Sequence, residues 1–398
     1  MTFSSEQASA LSRWSILDTS STWMREFTSA LGKTAPTLGW IPEFSWFGLM
    51  RHGYQKTTIS DPPLSAIQFP LQRGYSKAPI RWFNPLGRNL ATTMISHFSE
   101  PASCALVCTA PFYAPVAEQW PGPVVYYSTD LTAEYDGVDQ KQVRRLDAEL
   151  CARATVVCPN SRRIADYLVR EAGCVRSKIT VIPNATRAAN IREHVVETPD
   201  ELPSDLADLA RPIAGVIGNL AGNMDWVLLR EAMRQTPWLQ WAMVGPTNMA
   251  VADKTQSEAR EAVLRMGGRV RFTGTRPYGE LQSYARAFDV AVLPYMRREP
   301  TYSGSSTRFY EHLAAIRPIL ATRGFEELLH KEPLLELVDS SEELAARLAV
   351  LNQRGFRDGY ETMRWIASQE GTWEARALTM QKALAAALSL TSREQQLC

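Results

Sequence analysis

The sequence predicts an α/β protein built from two doubly wound parallel sheets, and three observations carry that prediction. Short apolar runs alternate with segments of helical spacing from Ala105 to Thr322, the signature of strand–helix–strand units. The alternation breaks once, over a polar, acidic, proline-bearing stretch from Thr186 to Pro212. The chain has 398 residues, enough for two or three domains with large cores. Two such domains of similar size are expected to leave a cleft between them, with the carboxyl ends of the strands facing it.

The first half, residues 1–190, opens on Trp14 to Thr19 as a buried strand, followed by helical spacing from Ser20 to Leu31 in Trp23, Phe27 and Leu31. From Trp40 to Leu90 the pattern dissolves. Aromatics (Trp40, Phe44, Trp46, Phe47, Trp82, Phe83) mix there with Arg51, Lys56, Arg73, Lys77, Arg81 and Arg88, set against Asp61. Such a mixture suits contact with an anionic membrane surface or a lipid-linked phosphate; it suits a variable acceptor-binding lobe, or simply a core, equally well. Strands come next at Ala105–Ala110, Val124–Ser128, Thr155–Pro159 and Ile179–Pro183, with helices at Gln140–Arg153 and Arg162–Ala172.

The second half, residues 212–370, predicts strands at Ile213–Gly218, Trp241–Gly245, Val270–Gly274, Val290–Pro294 and Ile319–Thr322. Helices fall between them at Trp226–Gln235, Ala252–Met266, Gly279–Ala287 and Ser306–Ile316, with two more at Ser340–Asn352 and Met363–Ser368. A last amphipathic helix, 372–390, is expected to pack back on the first domain.

Composition narrows the function. A net charge of +1, with no basic stripe interleaved with aromatics, argues against a nucleic-acid partner. The six cysteines form no CxxC pair and several lie in apolar runs, as reduced core thiols do. No apolar leader or membrane-length run is present, so the expected location is cytoplasmic, with the inner face of the membrane as a place of work.

Chemistry gathers where the helix from Ser306 begins. Ser303 to Thr307 offer cap hydroxyls and free amides at a positive dipole end, an arrangement that holds anions. Arg308 and Glu311 share a face apart from the apolar Phe309, Leu313 and Ile316. A guanidinium forks onto a diphosphate, and a carboxylate accepts both hydroxyls of a ribose; a well-capped helix with a solvated ion pair would read the same way. Gly218 and Asn219 come directly after the first strand of this half, where glycine lets amides approach an anion, or where a plain turn sits. Arg276 and Tyr278 stand at a strand-to-helix turn, placed for a base or its phosphates or for the turn alone. In the first half Asp130 ends the run Tyr126-Tyr-Ser-Thr-Asp, placed to take a proton from a hydroxyl or to cap the next turn or helix.

Five segments, AELCARATVVCPNSRRIADYL, ITVIPNA, IAGVIGNLAGNMDW, VRFTGTRPYGELQSYARAFDVAVLPY and SSTRFYEHLAAIRPILAT, together resemble the GT-B glycosyltransferases, above all the large retaining group that uses nucleotide-sugar donors. The resemblance implies a nucleotide-sugar donor of the UDP type, bound by the second domain, with a glycan or lipid-linked acceptor and no metal or other cofactor. Three positions depart from that group: Ser303 stands where the first of two paired glutamates is usual, and Ala185 and Ile316 where glycines are. The xanthan-type glucuronosyltransferases, inverting GT-B enzymes, are also similar. Through them Asp130 is implied as the base, and Tyr302, Ser305, Ser306, Arg308 and Glu311 as donor-site residues. A catalytically silent nucleotide-sugar-binding subunit and a nucleotide-sugar epimerase of the same fold are the alternative functions.

Overall fold

The computed structural model describes residues 13–43, 56–70, 93, 95–97 and 103–396. Two compact units divide the chain: Met1–Asn184 with Trp373–Cys398, and Ala185–Thr372.

The first unit holds a seven-stranded sheet in the order β3-β4-β2-β1-β5-β6-β7, where β1 is Arg13–Leu17, β2 Thr37–Glu43, β3 Lys56–Ser60, β4 Pro63–Pro70, β5 Cys104–Cys108, β6 Val124–Tyr126 and β7 Val156–Val157. Only β3 and β4 pair antiparallel. β5 is buried at every position, as a strand covered by helices on both faces must be. The helices of this unit include α1 (Thr22–Gly32), α2 (Ala114–Gln119), α3 (Gln140–Arg153) and α4 (Arg162–Glu171). The terminal helix, Trp373–Gln396, lies along α1: Trp373 meets Phe27 edge-on at 6.5 Å, and Glu374 pairs with Lys33 at 2.5 Å.

This unit corrects the sequence reading in two places. The stretch read as patternless takes in the end of β2 and all of β3 and β4; glycine and proline inside TLGWIPE hide its strand character, and the β3–β4 turn falls at Asp61-Pro62. Trp40 is a core residue whose Nε1 donates to the Ser15 hydroxyl at 2.6 Å. Phe44, Trp46, Phe47, Arg51, Arg73, Lys77, Arg81, Trp82, Phe83 and Arg88 lie outside the described residues. Ile179–Pro183 forms one bridge, Ile179 to Val157, rather than a strand.

The second unit is a six-stranded parallel sheet in the order β10-β9-β8-β11-β12-β13, with β8 Ile213–Ile217, β9 Gln240–Val244, β10 Val270–Gly274, β11 Val290–Leu293, β12 Ile319–Ala321 and β13 Glu336–Leu337. From β8 the chain runs outward through β9 and β10, then returns to the other side for β11 and β12. β8 and β11 therefore flank a topological switch point, the place where doubly wound sheets open a crevice at their carboxyl ends. Its helices are α5 (Trp226–Gln235), α6 (Lys254–Leu264), α7 (Leu281–Ala287), α8 (Thr307–Ala315), α9 (Ser341–Gln353) and α10 (Glu361–Glu370). The 186–212 stretch packs against this unit: Leu206 and Leu209 join Ile213 and Phe288 in one apolar cluster.

α8 ends on Ile316 at φ 65°, a left-handed conformation that a β-branched side chain adopts at a cost of about 1–3 kcal/mol. Neighbouring contacts hold it there. Ile316 is fully buried, and the next residue, Arg317, donates to the carbonyls of Val196 and Glu197.

Candidate functional site

At the switch point the loop after β8 is tied to the end of β11. Asp225 N donates to Pro294 O at 2.7 Å and Met296 N to Asn223 O at 2.9 Å. This brings Gly218 beside the start of α8, so that a Cβ on Gly218 would meet the Tyr295 hydroxyl at 3.4 Å and Arg308 Nε at 3.7 Å. Gly218 has φ 148°, and Gly245, after β9, has φ 145°; a Cβ on Gly245 would come within 1.7 Å of the Gly218 carbonyl oxygen. Only glycine permits this approach. Gly245 N in turn donates to Gly274 O at 3.0 Å, so three strand ends close on one another through glycines.

Arg308 and Glu311 face each other one turn apart on α8 as an ion pair, with side chains 23% and 3% exposed. Burial alone would lower the Arg308 pKa; the Glu311 carboxylate, together with Tyr278 and Tyr295, overrides it and raises the value. Burial pushes the Tyr295 hydroxyl up to about 12, against the pull of Arg308. Glu311 Oε2 takes the guanidinium, while Oε1 is buried with no hydrogen-bond partner among the described residues. An orphaned carboxylate oxygen costs on the order of 1–3 kcal/mol or more, which a ligand hydroxyl would recover. Beside it His312 is fully buried, neither ring nitrogen has a partner among the described residues, and burial followed by the nearby Arg308 lowers its pKa to about 3.

The amino end of α8 differs from the sequence reading. Ser305 Oγ donates to Glu327 Oε2 at 2.7 Å, and Ser306 N donates to the same oxygen at 3.0 Å. The Tyr310 hydroxyl and Lys331 Nζ hold the other oxygen. The chain thus places its own carboxylate against these two serines, from a 3-10 turn at Glu326–His330 that sequence spacing could not bring there. Ser306 Oγ caps the helix through Phe309 N at 3.3 Å. The first amides of the helix proper, Thr307 and Arg308, have no intrahelical acceptor.

The remaining second-unit positions separate. Tyr302 is buried under the Arg297 guanidinium, 4.6 Å from its ring centroid. Arg276 is committed to Asp205 at 2.5 Å, and Arg187 lies over Tyr278 at 5.2 Å. Asn219 is exposed directly after Gly218. The structure therefore gathers Gly218, Arg308 and Glu311, with Tyr278 in electrostatic reach of Arg308, and sets Arg276 in its own ion pair. Sequence reasoning missed Tyr295, Gly245 and Glu327. For Gly245 a signal existed, a glycine closing the strand QWAMV just as Gly218 closes IAGVI.

In the first unit Asp130 lies past β6 at the carboxyl edge of the sheet and is half-buried. Burial raises its pKa to about 6, against hydrogen bonds from Tyr135 and Thr129 that favour the charged form. A carboxylate so poised is suited to accept a proton near neutral pH. Among the described residues no cluster of three or more His, Cys, Asp or Glu side chains could hold a metal, and no helix is long and apolar enough to cross a membrane.

Comparison with known proteins places this geometry. The family model for Glycosyl transferases group 1 matches residues 211–353. A putative teichuronic acid biosynthesis glycosyltransferase, TuaH of Bacillus subtilis (strain 168), is 24% identical over 272 residues, which cover 65% of this chain and 62% of TuaH. Among solved structures, Anabaena HepE in complex with UDP and glucose superposes with a TM-score of 0.67 at 15% identity, over 95% of this chain and 99% of HepE. An α,α-trehalose-phosphate synthase from Burkholderia xenovorans gives 0.63 at 12% identity, over 94% and 99%. The chain thus has the two-domain fold of the GT-B glycosyltransferases and carries, over residues 211–353, the group 1 sequence pattern of that class of transferase enzymes.

Proposed function

We propose that the protein transfers a sugar from a nucleoside diphosphate donor, a UDP-sugar, to a hydroxyl of a glycan or lipid-linked acceptor. The observation that carries this reading is the Arg308–Glu311 pair beside Gly218, with one carboxylate oxygen of Glu311 buried and unpaired among the described residues. That oxygen suits a ribose hydroxyl, while the free N–H groups of Arg308 and the Thr307 and Arg308 amides suit the diphosphate. As the bond from the sugar C1 to the diphosphate oxygen breaks, its electron pair leaves with UDP, and the cation stabilises the growing charge without a metal. In an inverting displacement Asp130 would take the proton of the acceptor hydroxyl as its oxygen bonds to C1. The UDP in the HepE structure and the teichuronic acid role given to TuaH support a UDP donor and a polysaccharide product. We further place the work at the inner face of the membrane, on the aromatic and cationic character of residues 40–90.

One observation favours a second reading, a donor-binding subunit without turnover: Glu327 already holds the Ser305 hydroxyl and the Ser306 amide. Incubation with UDP-glucose, UDP-galactose, UDP-N-acetylglucosamine and UDP-glucuronate, with and without a membrane-lipid extract, separates the two. Release of UDP is expected. Binding of UDP with no release from any donor would leave the silent subunit, and an isomerised donor would indicate an epimerase.

A further inference from the structure

Asn160 is 2% exposed and grips the segment that leads into Asp130 at two consecutive carbonyls. Its backbone N–H donates to Ser128 O at 2.9 Å, and its Nδ2 donates to Thr129 O. The β6 ladder ends at Tyr126, so Ser128 to Asp130 lie beyond the strand. With its main chain Asn160 continues the parallel register past Cys158 N, which donates to Tyr126 O at 2.7 Å, and with its side chain it supplies one N–H more than the backbone has. The grip is anchored on the far side, because the next residue, Ser161, caps α4 through Ile164 N at 3.1 Å.

The side chain's orientation is set by chemistry. A carbonyl can only accept, so the group on Thr129 O must be the amide nitrogen. That choice leaves Oδ1 buried with no partner among the described residues. An orphaned amide oxygen destabilises the fold, and a small apolar residue at 160 would avoid the cost but release the Thr129 carbonyl. The hold on the segment is therefore kept against a local penalty.

We propose that Asn160 is the positioning residue of the candidate base: its two-point hold on the Ser128 and Thr129 carbonyls fixes where the Asp130 carboxylate stands. The proposal rests on the reading of Asp130 as the base of glycosyl transfer. Tyr135 is the titratable group that faces this carboxylate, with Thr129 as its other hydrogen-bond donor.

The test reads Asp130 without any substrate. The 398-residue protein labelled with 13Cγ-aspartate is titrated by NMR, with Asp130→Asn assigning the signal. Wild type should titrate at about 6. In Asn160→Ala the midpoint should fall by about one unit, as the loosened segment admits water to the carboxylate. In the UDP-release assay with UDP-glucose and membrane-lipid extract, kcat should fall by roughly ten- to a hundredfold with the donor KM unchanged. Asn160→Ser, whose hydroxyl stops short of the Thr129 carbonyl, should behave the same and serves if the alanine variant does not fold. A residue with a merely structural role would lower the melting temperature and leave the Asp130 midpoint where it was; an unmoved midpoint in a folded variant overturns the proposal. Failure of the transfer reading shows elsewhere, as wild-type protein that releases no UDP from any donor.

Discussion

Glu311 on α8 of the second unit is buried and Asp130 past β6 of the first is half-buried, and the protein balances these two carboxylates by opposite means. Glu311 has a guanidinium against one oxygen, so its negative charge is matched before any ligand arrives. Asp130 has only the Tyr135 and Thr129 hydrogen bonds, which do not overcome burial, and its pKa rises to about 6. A carboxylate with a cation beside it is suited to hold ligand hydroxyls. One without is set up to gain and lose a proton near neutral pH. The difference lies in the neighbours, since both residues are carboxylic acids of nearly the same intrinsic strength.

The largest effect is expected from Asp130→Asn. It should lower kcat by roughly 10²- to 10⁴-fold while UDP binding by calorimetry stays unchanged; a near-normal rate would remove Asp130 from the chemistry. The same residue predicts a pH signature. Wild-type kcat should rise through about pH 6 as the carboxyl ionises. For stability the sign is reversed. The folded value lies above the ordinary 3.8, so the stabilising contribution is present below that value and is lost as pH rises through about 6. Asp130→Asn should therefore melt higher than wild type at about pH 8, and the gain should vanish near about pH 4. Equal melting temperatures at every pH would mean that the carboxyl is not held in a desolvated site.

On the other side of the contrast, Arg308→Ala should weaken UDP binding by roughly ten- to a hundredfold, the worth of hydrogen bonds to a charged group. It also strands Glu311, 3% exposed, without its cation, and should cost about 3 kcal/mol in unfolding free energy. Adding Glu311→Gln to Arg308→Ala should recover much of that stability and none of the affinity. If the single and double variants were equally unstable, the two side chains would not act as a charge-balanced unit.

How far these sites could be read from sequence depends on the range of the contacts involved. The second unit was legible because its strands are short uninterrupted apolar runs, and its caps are local: Ser306 caps α8 three residues on, and Arg308 meets Glu311 one helical turn away. Glu327 was not legible, since it reaches Ser305 and Ser306 from 21–22 residues downstream through a 3-10 turn that has no sequence period. Asp205, which pairs with Arg276, comes from 71 residues upstream. In the first unit β2 was lost to its own glycine and proline, and the two-carbonyl grip of Asn160 reaches back 31–32 residues. Within one helix or one strand, spacing foretells partners; across a sheet edge, only the fold decides who meets whom.

The smallest expected effect concerns His312, which adjoins Glu311 but shares neither of the two kinds of balance. It is buried against Phe288, 6.3 Å between ring centroids, with both nitrogens unpaired among the described residues and Arg308 near enough to disfavour its protonation. A side chain that forgoes two hydrogen bonds is a site where an apolar residue of similar volume should do better, so His312→Leu should stabilise the protein by about 1 kcal/mol at neutral pH. The gain should grow in acid. The imidazole pKa falls from 6.5 to about 3 on folding, so the wild-type contribution is present above 6.5 and is lost as pH drops below it, a loss the leucine does not suffer. UDP affinity should be unchanged. A variant that melts higher yet binds UDP more weakly would show that one of those nitrogens meets the donor, and would move His312 from the packing of α8 into the proposed donor site.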